Sequence, residues 1–193
     1  MSRPAVLATN LSVDEFLEFL VRGDPNGNAE LVRGEVRVSP WPGAAHGGVV
    51  AAIFRRLANH VVDRQLGQVF SNAGFELLEL PRTVRAPDLA FVRADRLPAR
   101  GLGSRPLGIP PDLAVEVLSP SETRKRIREK LDDYRASAIP LVWLIDPRAR
   151  TVTVIEGDLP AKRLGESDCL DGGNVVPGFT CVIVELFVGL ARE

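Results

Sequence analysis

One segment in the middle of the chain, residues 112–145, constrains the fold more strongly than any other. Residues 112–118 form an apolar run typical of a strand, and residues 141–145 form a second one. Between them, residues 123–138 have the periodicity of a helix that stops before Pro140. This order of strand, helix and strand predicts two parallel strands joined by a right-handed crossover, with the helix on one face of their sheet.

The other segments favour hairpins around this unit. Ser12-Val13-Asp14-Glu15 opens a helix with a capping box, and Arg33-Gly34 separates two runs that predict a β-hairpin. The remaining predicted elements are strands at 29–32 and 35–39, a helix from 44 to about 65, strands at 67–71, 75–79, 88–92 and 151–156, a loop at 97–111, short strands between 161 and 193, and a turn around 184–187. This pattern predicts an α/β (α+β) fold in which a mixed β-sheet is flanked by helices, with residues 1–193 as one domain.

The charge and the apolar segments exclude several classes of protein. A formal net charge of −1 argues mildly against a protein that coats nucleic acid, but it leaves room for a local basic site. No apolar run approaches the ~20 residues of a membrane-spanning helix, and the first residues do not form a signal peptide. We therefore expect a cytoplasmic protein. Cys169 and Cys181 form no C-x-x-C pair and His46 and His60 lie far apart, so no zinc site is expected.

Glu116 is the most informative single residue. It lies in the run Leu113-Ala114-Val115-Glu116-Val117, whose alternation places apolar side chains on both faces of a strand. Such a strand is expected to be central, where an ionised carboxylate costs several kcal/mol unless a cation or a lysine compensates it. A structural ion pair or a solvent-facing strand end would also explain Glu116. We expect its pKa to be raised in the metal-free protein unless Lys130 pairs with it.

Two further residues could meet Glu116. Asp88 opens a predicted strand directly after Pro87, although an Asp in this position also commonly caps a turn. On a helical wheel, Lys130 lies at the margin of the apolar stripe, one turn before Tyr134, and can lean toward the sheet. A lysine at such an edge can also simply extend into the solvent.

Together these residues predict a metal-dependent hydrolase. Carboxylates of Asp88 and Glu116 on neighbouring strands can ligate Mg²⁺ or Mn²⁺. The cation would polarise a phosphoryl oxygen and acidify a bound water, and Lys130 could position the water or stabilise charge on the phosphate. Phosphodiester hydrolysis requires little else from the protein.

The sequence around these residues resembles the Uma family of restriction endonucleases, which is part of the PD-(D/E)XK nuclease superfamily. The resemblance covers nearly the whole chain and its most specific part is the string E-V-L-S-P-S followed by E-K-L-x-x-Y. The matching stretches are residues 30–35, 86–92, 111–121, 129–131 with Tyr134, 143–147, 177–179 and 186–187.

This resemblance implies a restriction-endonuclease-like fold and an endonuclease that acts on nucleic acid, with DNA favoured. It implies that Pro87-Asp88 is the PD element, that Glu116 is the second acid, and that Lys130 supplies the lysine, because Leu118 stands two residues after Glu116. It also implies a catalytic role for Glu35. Accessory roles follow for His46 and Tyr134, while Arg126 stands where relatives usually carry Asp.

The resemblance further implies a homodimer. The only contacts that the sequence offers for it are apolar residues of the C-terminal segment, such as Phe179, Leu186 and Phe187.

Two other functions remain compatible with the sequence. One is a catalytically inactive module that binds nucleic acid or protein, which Arg126 and the near-neutral charge favour. The other is a phosphodiesterase that acts on a substrate smaller than DNA. Arg124, Lys125, Arg126 and Arg128 begin the helix, where they could contact phosphate or form an ordinary solvated surface. Ser119 and Ser121 are interpreted as helix-capping residues, since no G-x-S-x-G elbow surrounds them.

Overall fold

The computed structural model of the protein describes residues 5–23, 28–77 and 79–191. In these ranges the chain forms the α-helices α1 (Val13–Arg22), α2 (Ala44–Asp63) and α3 (Arg124–Ala136), and 3₁₀ helices at Ala94–Arg96 and Ile183–Phe187. The strands are β1 (Ala5–Ala8), β2 (Asn28–Val32), β3 (Glu35–Ser39), β4 (Gly67–Ser71), β5 (Phe75–Glu76), β6 (Val84–Arg85), β7 (Leu89–Arg93), β8 (Leu113–Val117), β9 (Leu141–Asp146), β10 (Thr151–Glu156), β11 (Lys162–Leu164), β12 (Cys169–Asp171) and β13 (Thr180–Val182). None of the helices within these ranges has the length and apolar character needed to cross a membrane.

A six-stranded sheet contains the predicted strand–helix–strand unit. Its strands are ordered β11-β10-β9-β8-β7-β4. β8 and β9 are parallel and are connected through α3, whereas the other neighbours are antiparallel. The sheet is therefore mixed and flanked by helices, which confirms the predicted fold class.

Both faces of β8 are covered, which explains why its sequence is apolar throughout. Val115 and Val117 pack in the same core cluster as the buried stripe of α2, and Ala114 packs with Tyr134 of α3. Because side chains alternate along a strand, Glu116 lies on the α3 side with Ala114. The residue is only 6% exposed. The buried residues of α2 are Val49, Ile53, Leu57 and Val61.

The predicted hairpin of β2 and β3 belongs to a second sheet, with the order β1-β3-β2-β6-β5. β1 and the short β6 are not predicted from the sequence, so the separation of this sheet from the first is seen only in the structure. α1 packs against it through Phe16. Ion pairs join it to α3, with Arg33 Nη2 2.6 Å from Asp133 Oδ1 and Arg37 Nη1 2.6 Å from Glu129 Oε2. The second sheet therefore carries its side chains to the helix that lies beside Glu116.

One predicted strand is shorter than expected. Residues 75–79 were expected to be extended, but β5 ends at Glu76 and Leu78 lies outside the described residues. The Leu80 N–H donates to the Leu77 carbonyl at 2.8 Å, which closes a turn before Pro81 and leads the chain back to β6. The Leu77 N–H donates to the Thr83 carbonyl at 2.9 Å across this turn.

The residue that caps α3 is Thr123. Its side chain accepts a hydrogen bond from the Arg126 N–H at 3.3 Å. The hydroxyls of Ser119 and Ser121 are 2.9 Å from each other and lie before the helix. Their interpretation as capping residues is therefore wrong, because an N-cap must accept from an amide two or three residues further along.

Three apolar residues of the C-terminal segment belong to the core of this chain. Phe179 is 2% exposed, and Leu186 and Phe187 are each 1% exposed. They pack with the α2 side of the six-stranded sheet. The expectation that they form contacts between two protomers is therefore wrong.

Candidate active site

A small cavity of about 50 Å³ lies where the two sheets, the start of α2 and one flank of α3 meet. Asp88, Glu116 and Lys130 all line it, so the structure brings these three residues together as predicted. Three more ionisable side chains line the same cavity: Glu30, His46 and Glu122.

Asp88 lies directly before β7, where the strand register brings it to Glu116. β7 and β8 are antiparallel with Leu89 opposite Val115, so one further step places Asp88 across from Glu116. The Val117 N–H donates to Asp88 Oδ2 at 2.7 Å, and His46 Nε2 lies 3.2 Å from the same oxygen. Proline at position 87 suits this place, because the strand begins only after it.

Glu116 is a buried acid among charges of both signs. Lys130 Nζ donates to its Oε2 at 2.9 Å, and the Tyr134 hydroxyl donates to its Oε1. Burial raises the pKa of Glu116 to about 7, and the carboxylates of Asp88 and Glu30 act in the same direction, against Lys130 and Tyr134. The pKa is therefore raised even though Lys130 pairs with the group.

Lys130 is held between two carboxylates. Its Nζ lies 2.9 Å from Glu116 Oε2 and 3.6 Å from Glu30 Oε1. Burial alone would lower the pKa of Lys130, but Glu116 and Glu30 together raise it above its ordinary value. The ammonium therefore stays protonated at neutral pH.

Glu30 is not predicted as a site residue from the sequence, and β2 places it in this cavity. Glu30 is 7% exposed and accepts hydrogen bonds from Arg85 Nη1 at 2.9 Å and from the Ala86 N–H at 3.0 Å. Burial acts to raise its pKa, but Lys130 and Arg85 outweigh it and lower the pKa to about 2. In the sequence, Glu30 stands out only as the first residue of the stretch 30–35 that resembles the Uma family.

Arg85 connects this acid to α3. Its Nε and Nη2 donate to Asp133 Oδ2 at 2.9 and 2.5 Å, and Asp133 is fully buried. The pKa of Arg85 is raised, because Glu30 and Asp133 outweigh the effect of its burial. Arg85, which is itself paired with Asp133, therefore holds the Glu30 carboxylate in place.

The structure does not bring Glu35 into the cavity. Its side chain is 42% exposed and accepts a hydrogen bond from Arg37 Nη2 at 2.9 Å. Arg37 also pairs with Glu129, which leaves Glu35 in a network at the surface between β3 and α3. Glu30, five residues earlier, lines the cavity.

Of the predicted accessory residues, some lie at the cavity and one lies on the other flank of α3. His46 contacts Asp88, and Tyr134 contacts Glu116. Burial acts to lower the pKa of His46, but its bond to Asp88 and the nearby carboxylates together raise it. Arg126 Nη1 lies 3.2 Å from Ser39 Oγ at the cavity wall. Arg124 is exposed and lines a different cavity on the other flank of the helix.

The donor set suits a hard divalent cation held by two side chains. Within the described ranges, no group of three or more His, Cys, Asp or Glu could hold a metal ion. Mg²⁺ is usually bound by one or two carboxylates, with waters and substrate phosphates as the other ligands. Asp88 and Glu116 provide such a pair. The cavity also has four carboxylates against Lys130 and His46, so it attracts positive charge.

Comparison with known proteins places the chain in a family. A family model described as "Uma2: Putative restriction endonuclease" matches residues 13–185. A crystal structure from Anabaena variabilis, described as a putative nuclease belonging to DUF820, has a TM-score of 0.79 and 19% sequence identity. It covers 92% of this chain and 98% of its own, and at this identity it shows the fold alone. No curated protein matches the chain. Because the family model spans nearly the whole sequence, the chain belongs to the Uma2 family of restriction-endonuclease-like proteins.

Proposed function

We propose that this protein is a cytoplasmic, Mg²⁺-dependent endonuclease that hydrolyses phosphodiester bonds of nucleic acid, DNA first of all, with Mn²⁺ able to replace Mg²⁺. The observation that carries this proposal is the meeting of Asp88, Glu116 and Lys130 in one cavity with more carboxylates than cations. Membership of the Uma2 family supports it.

Asp88 and Glu116 would hold the metal. When bound, the metal would polarise a phosphoryl oxygen and acidify a water. Asp88 is oriented by Val117 and His46, whose bonds both go to Oδ2, so Oδ1 is the atom available to a ligand. Tyr134 orients Glu116 from the other side and keeps its proton, because burial and Glu116 raise its pKa well above the ordinary value.

Lys130 would act on the phosphate. Its ammonium is kept in place by Glu116 and Glu30 and is protonated, so it can donate to a phosphoryl oxygen as negative charge develops there. Such preorganised donors are typically worth about 10²–10³ in rate.

The test is cleavage of plasmid DNA, single-stranded DNA and RNA by the full chain with Mg²⁺ or Mn²⁺. We expect metal-dependent cleavage that a chelator stops, and a loss of about 10²-fold or more in Glu116→Ala and Lys130→Ala. Calorimetry with Mn²⁺ alone should show binding to wild type and to Lys130→Ala, but not to Glu116→Ala. Cleavage that persists in Glu116→Ala would contradict the assignment. Cleavage of bis-p-nitrophenyl phosphate but of no polymer would indicate a smaller substrate.

One observation favours a second candidate function, an inactive module that binds nucleic acid. Both carboxylate oxygens of Glu116 already accept hydrogen bonds, from Lys130 and Tyr134, and a metal must compete with these donors. A wild-type protein that binds DNA but neither binds Mn²⁺ nor cleaves would have this function.

Arg126 is the arginine best placed to contact nucleic acid at this site. It borders the cavity wall at Ser39, whereas Arg124 lies across the helix. Each phosphate contact adds a slope of roughly −0.9 to log affinity against log salt on duplex DNA. Arg126→Ala should flatten this slope by about one contact and weaken binding similarly on unrelated sequences, as backbone contacts do. Arg124→Ala is the matched control, and an equal effect of both changes would contradict the assignment.

We also propose that the protein acts as a homodimer, since a small nuclease must reach both strands to cut a duplex. The buried C-terminal residues cannot supply the contact. Sedimentation at micromolar concentration tests this proposal, and a monomer there would count against it.

A further inference from the structure

A second cavity, of about 450 Å³, lies on the flank of α3 opposite to Lys130. Its floor is aliphatic and belongs to α3, β9 and β10, with Leu131, Leu144 and Ile155 among its lining residues. These three side chains are only half-buried, so the groove leaves apolar surface open to solvent. We refer to it below as the α3 groove.

Three arginines of α3 line the same groove: Arg124, Arg128 and Arg135. Arg124 and Arg128 are one helical turn apart, and Arg135 follows two turns later on the same side. All three are exposed, and no ion pair joins them to an acid in the described parts of the chain. Asp132 also lines the groove, so its rim keeps a net positive charge.

These unpaired arginines contrast with the other flank of the helix. There Arg33, Arg37 and Arg85 all have carboxylate partners on α3. Within the described residues, the positive charge of these arginines is therefore not neutralised by an ion pair. Arginine pairs bidentately with carboxylates, which makes this rim suited to an acidic ligand.

We propose that the α3 groove docks an acidic amphipathic helix of a partner protein. An aliphatic floor accepts leucine-like anchors spaced at i, i+3 or i+4, and i+7, and the arginine rim pairs with acids beside them. This proposal is independent of the nuclease function, because the groove and the catalytic cavity share only the helix between them.

Two other occupants fit less well. Nucleic acid would meet the arginines, but none of the described residues that line the groove has an aromatic ring on which bases could stack. A second copy of this chain could present α1, whose exposed Val21 lies near Asp14 and Glu18. Those two acids are already paired with Arg105 and Arg22, so their charge is satisfied within the chain.

The experiment measures binding of a labelled peptide to the full chain by fluorescence anisotropy. The probe is a synthetic helix of about four turns made of leucine, glutamate and alanine, with leucines on one face and glutamates on its edges. A scrambled peptide of the same composition is its control. We expect binding of the first peptide alone, weakening as salt increases.

Variants of the chain locate the contact. Arg124→Glu with Arg128→Glu should weaken binding by about tenfold or more, since attraction becomes repulsion. The helix should still form, because Arg124→Glu places an acid in its first turn and Thr123 still caps it. Ile155→Thr tests the floor without a charge change and should also weaken binding. Arg55→Glu with Arg100→Glu makes the same charge change at exposed positions outside the groove and should leave binding unchanged.

Several results would overturn the proposal. Equal binding of the scrambled peptide would show that an amphipathic helix is not required. Wild-type affinity in the Arg124 and Arg128 double variant would show that the peptide does not bind at the α3 groove. If a single-stranded DNA oligonucleotide binds through these arginines and the peptide does not, the groove binds nucleic acid and not a helix. If the double variant abolishes self-association of the chain in sedimentation, the occupant is a second copy.

Discussion

At the scale of single residues, Lys130 only partly offsets the effect of burial on the pKa of Glu116. The side chain is nearly removed from solvent, yet it faces Asp88 and Glu30 as well as Lys130. A carboxyl group in such a place destabilises the fold when it is ionised, and sites of this kind are retained where chemistry needs them. The cost should be measurable as a dependence of stability on pH.

We predict that Glu116→Gln removes much of this pH dependence. The folded-state pKa of about 7 lies above the ordinary value of 4.5, so the folded protein binds the proton more strongly than the unfolded chain. Stability should therefore fall as pH rises from 4.5 to 7, by up to about 3 kcal/mol. Urea unfolding of wild type and variant at pH 5 and pH 8 measures the effect, because the amide that replaces the carboxyl group cannot titrate.

The contribution of His46 to the pH dependence of stability must be separated from that of Glu116 in this experiment. The pKa of His46 is raised above 6.5, so its stabilising contribution is present below pH 6.5 and is lost as pH rises through the folded-state value. Both groups therefore act in the same direction. Unfolding of His46→Gln isolates the second contribution. A Glu116→Gln protein with the full wild-type loss of stability would show that Glu116 is not the buried acid described here.

We predict very different costs for removing two acids of the same hairpin. Glu30→Gln leaves Arg85 and Lys130 buried with one partner fewer, which should destabilise the fold by about 3 kcal/mol or more. Glu35→Gln removes a half-exposed partner of Arg37, which should cost less than about 1 kcal/mol. The free energies of unfolding of the two variants, measured in urea, give the two costs. Equal costs would mean that Glu30 is not part of a buried charge network.

At the scale of elements, α3 organises the region around the site by presenting different residues in different directions. Tyr134 packs on the sheet, Lys130 and Asp133 face the second sheet, and Arg124 and Arg128 face the α3 groove. Successive residues of an α-helix are about 100° apart around its axis, so position in the sequence fixes these relative directions. Thr123 caps the first turn of α3 through its bond to the Arg126 amide.

We predict that Thr123→Ala costs about 1 kcal/mol, because it removes the N-cap of α3. Ser121→Ala should be nearly neutral for the helix, since its hydroxyl bonds only to Ser119 in the described protein. Thermal or urea unfolding of the two variants compares them directly. A larger cost for Ser121→Ala would restore the serine as the capping residue.

At the scale of the whole molecule, the site exists because two sheets meet at one helix. The six-stranded sheet supplies Asp88 and Glu116, the second sheet supplies Glu30, and α3 supplies Lys130 between them. Arg85 and Asp133 connect the second sheet to the helix. A ligand bound to this junction stabilises the assembled form over the unfolded chain.

We predict that Mn²⁺ raises the thermal stability of the metal-free protein. A ligand at 100 times its dissociation constant adds about 2.7 kcal/mol to the free energy of unfolding. Asp88→Asn removes one of the two proposed ligands and should abolish this gain. Glu35→Gln, whose side chain lies outside the cavity, should retain it. A gain that is the same in Asp88→Asn would place the metal elsewhere.

The sequence by itself predicted the elements whose patterns are local. The alternating apolar residues around Glu116, the helical stripe with Lys130 and Tyr134, and the hairpin of β9 and β10 depend on neighbours a few residues apart. The family resemblance further implied the pairing of Asp88 with Glu116, which the register of β7 and β8 shows.

Only the tertiary structure decided which further residues join the site. Glu30 and Arg85 reach α3 because β2 and β6 pair across more than fifty residues of sequence, as Leu31 opposite Val84 shows. Glu35 has the same chemistry as Glu30 but is 42% exposed, beyond the edge of the cavity. No local pattern distinguishes the two acids, because the exposure and the charged neighbours of a side chain depend on contacts between segments distant in the chain.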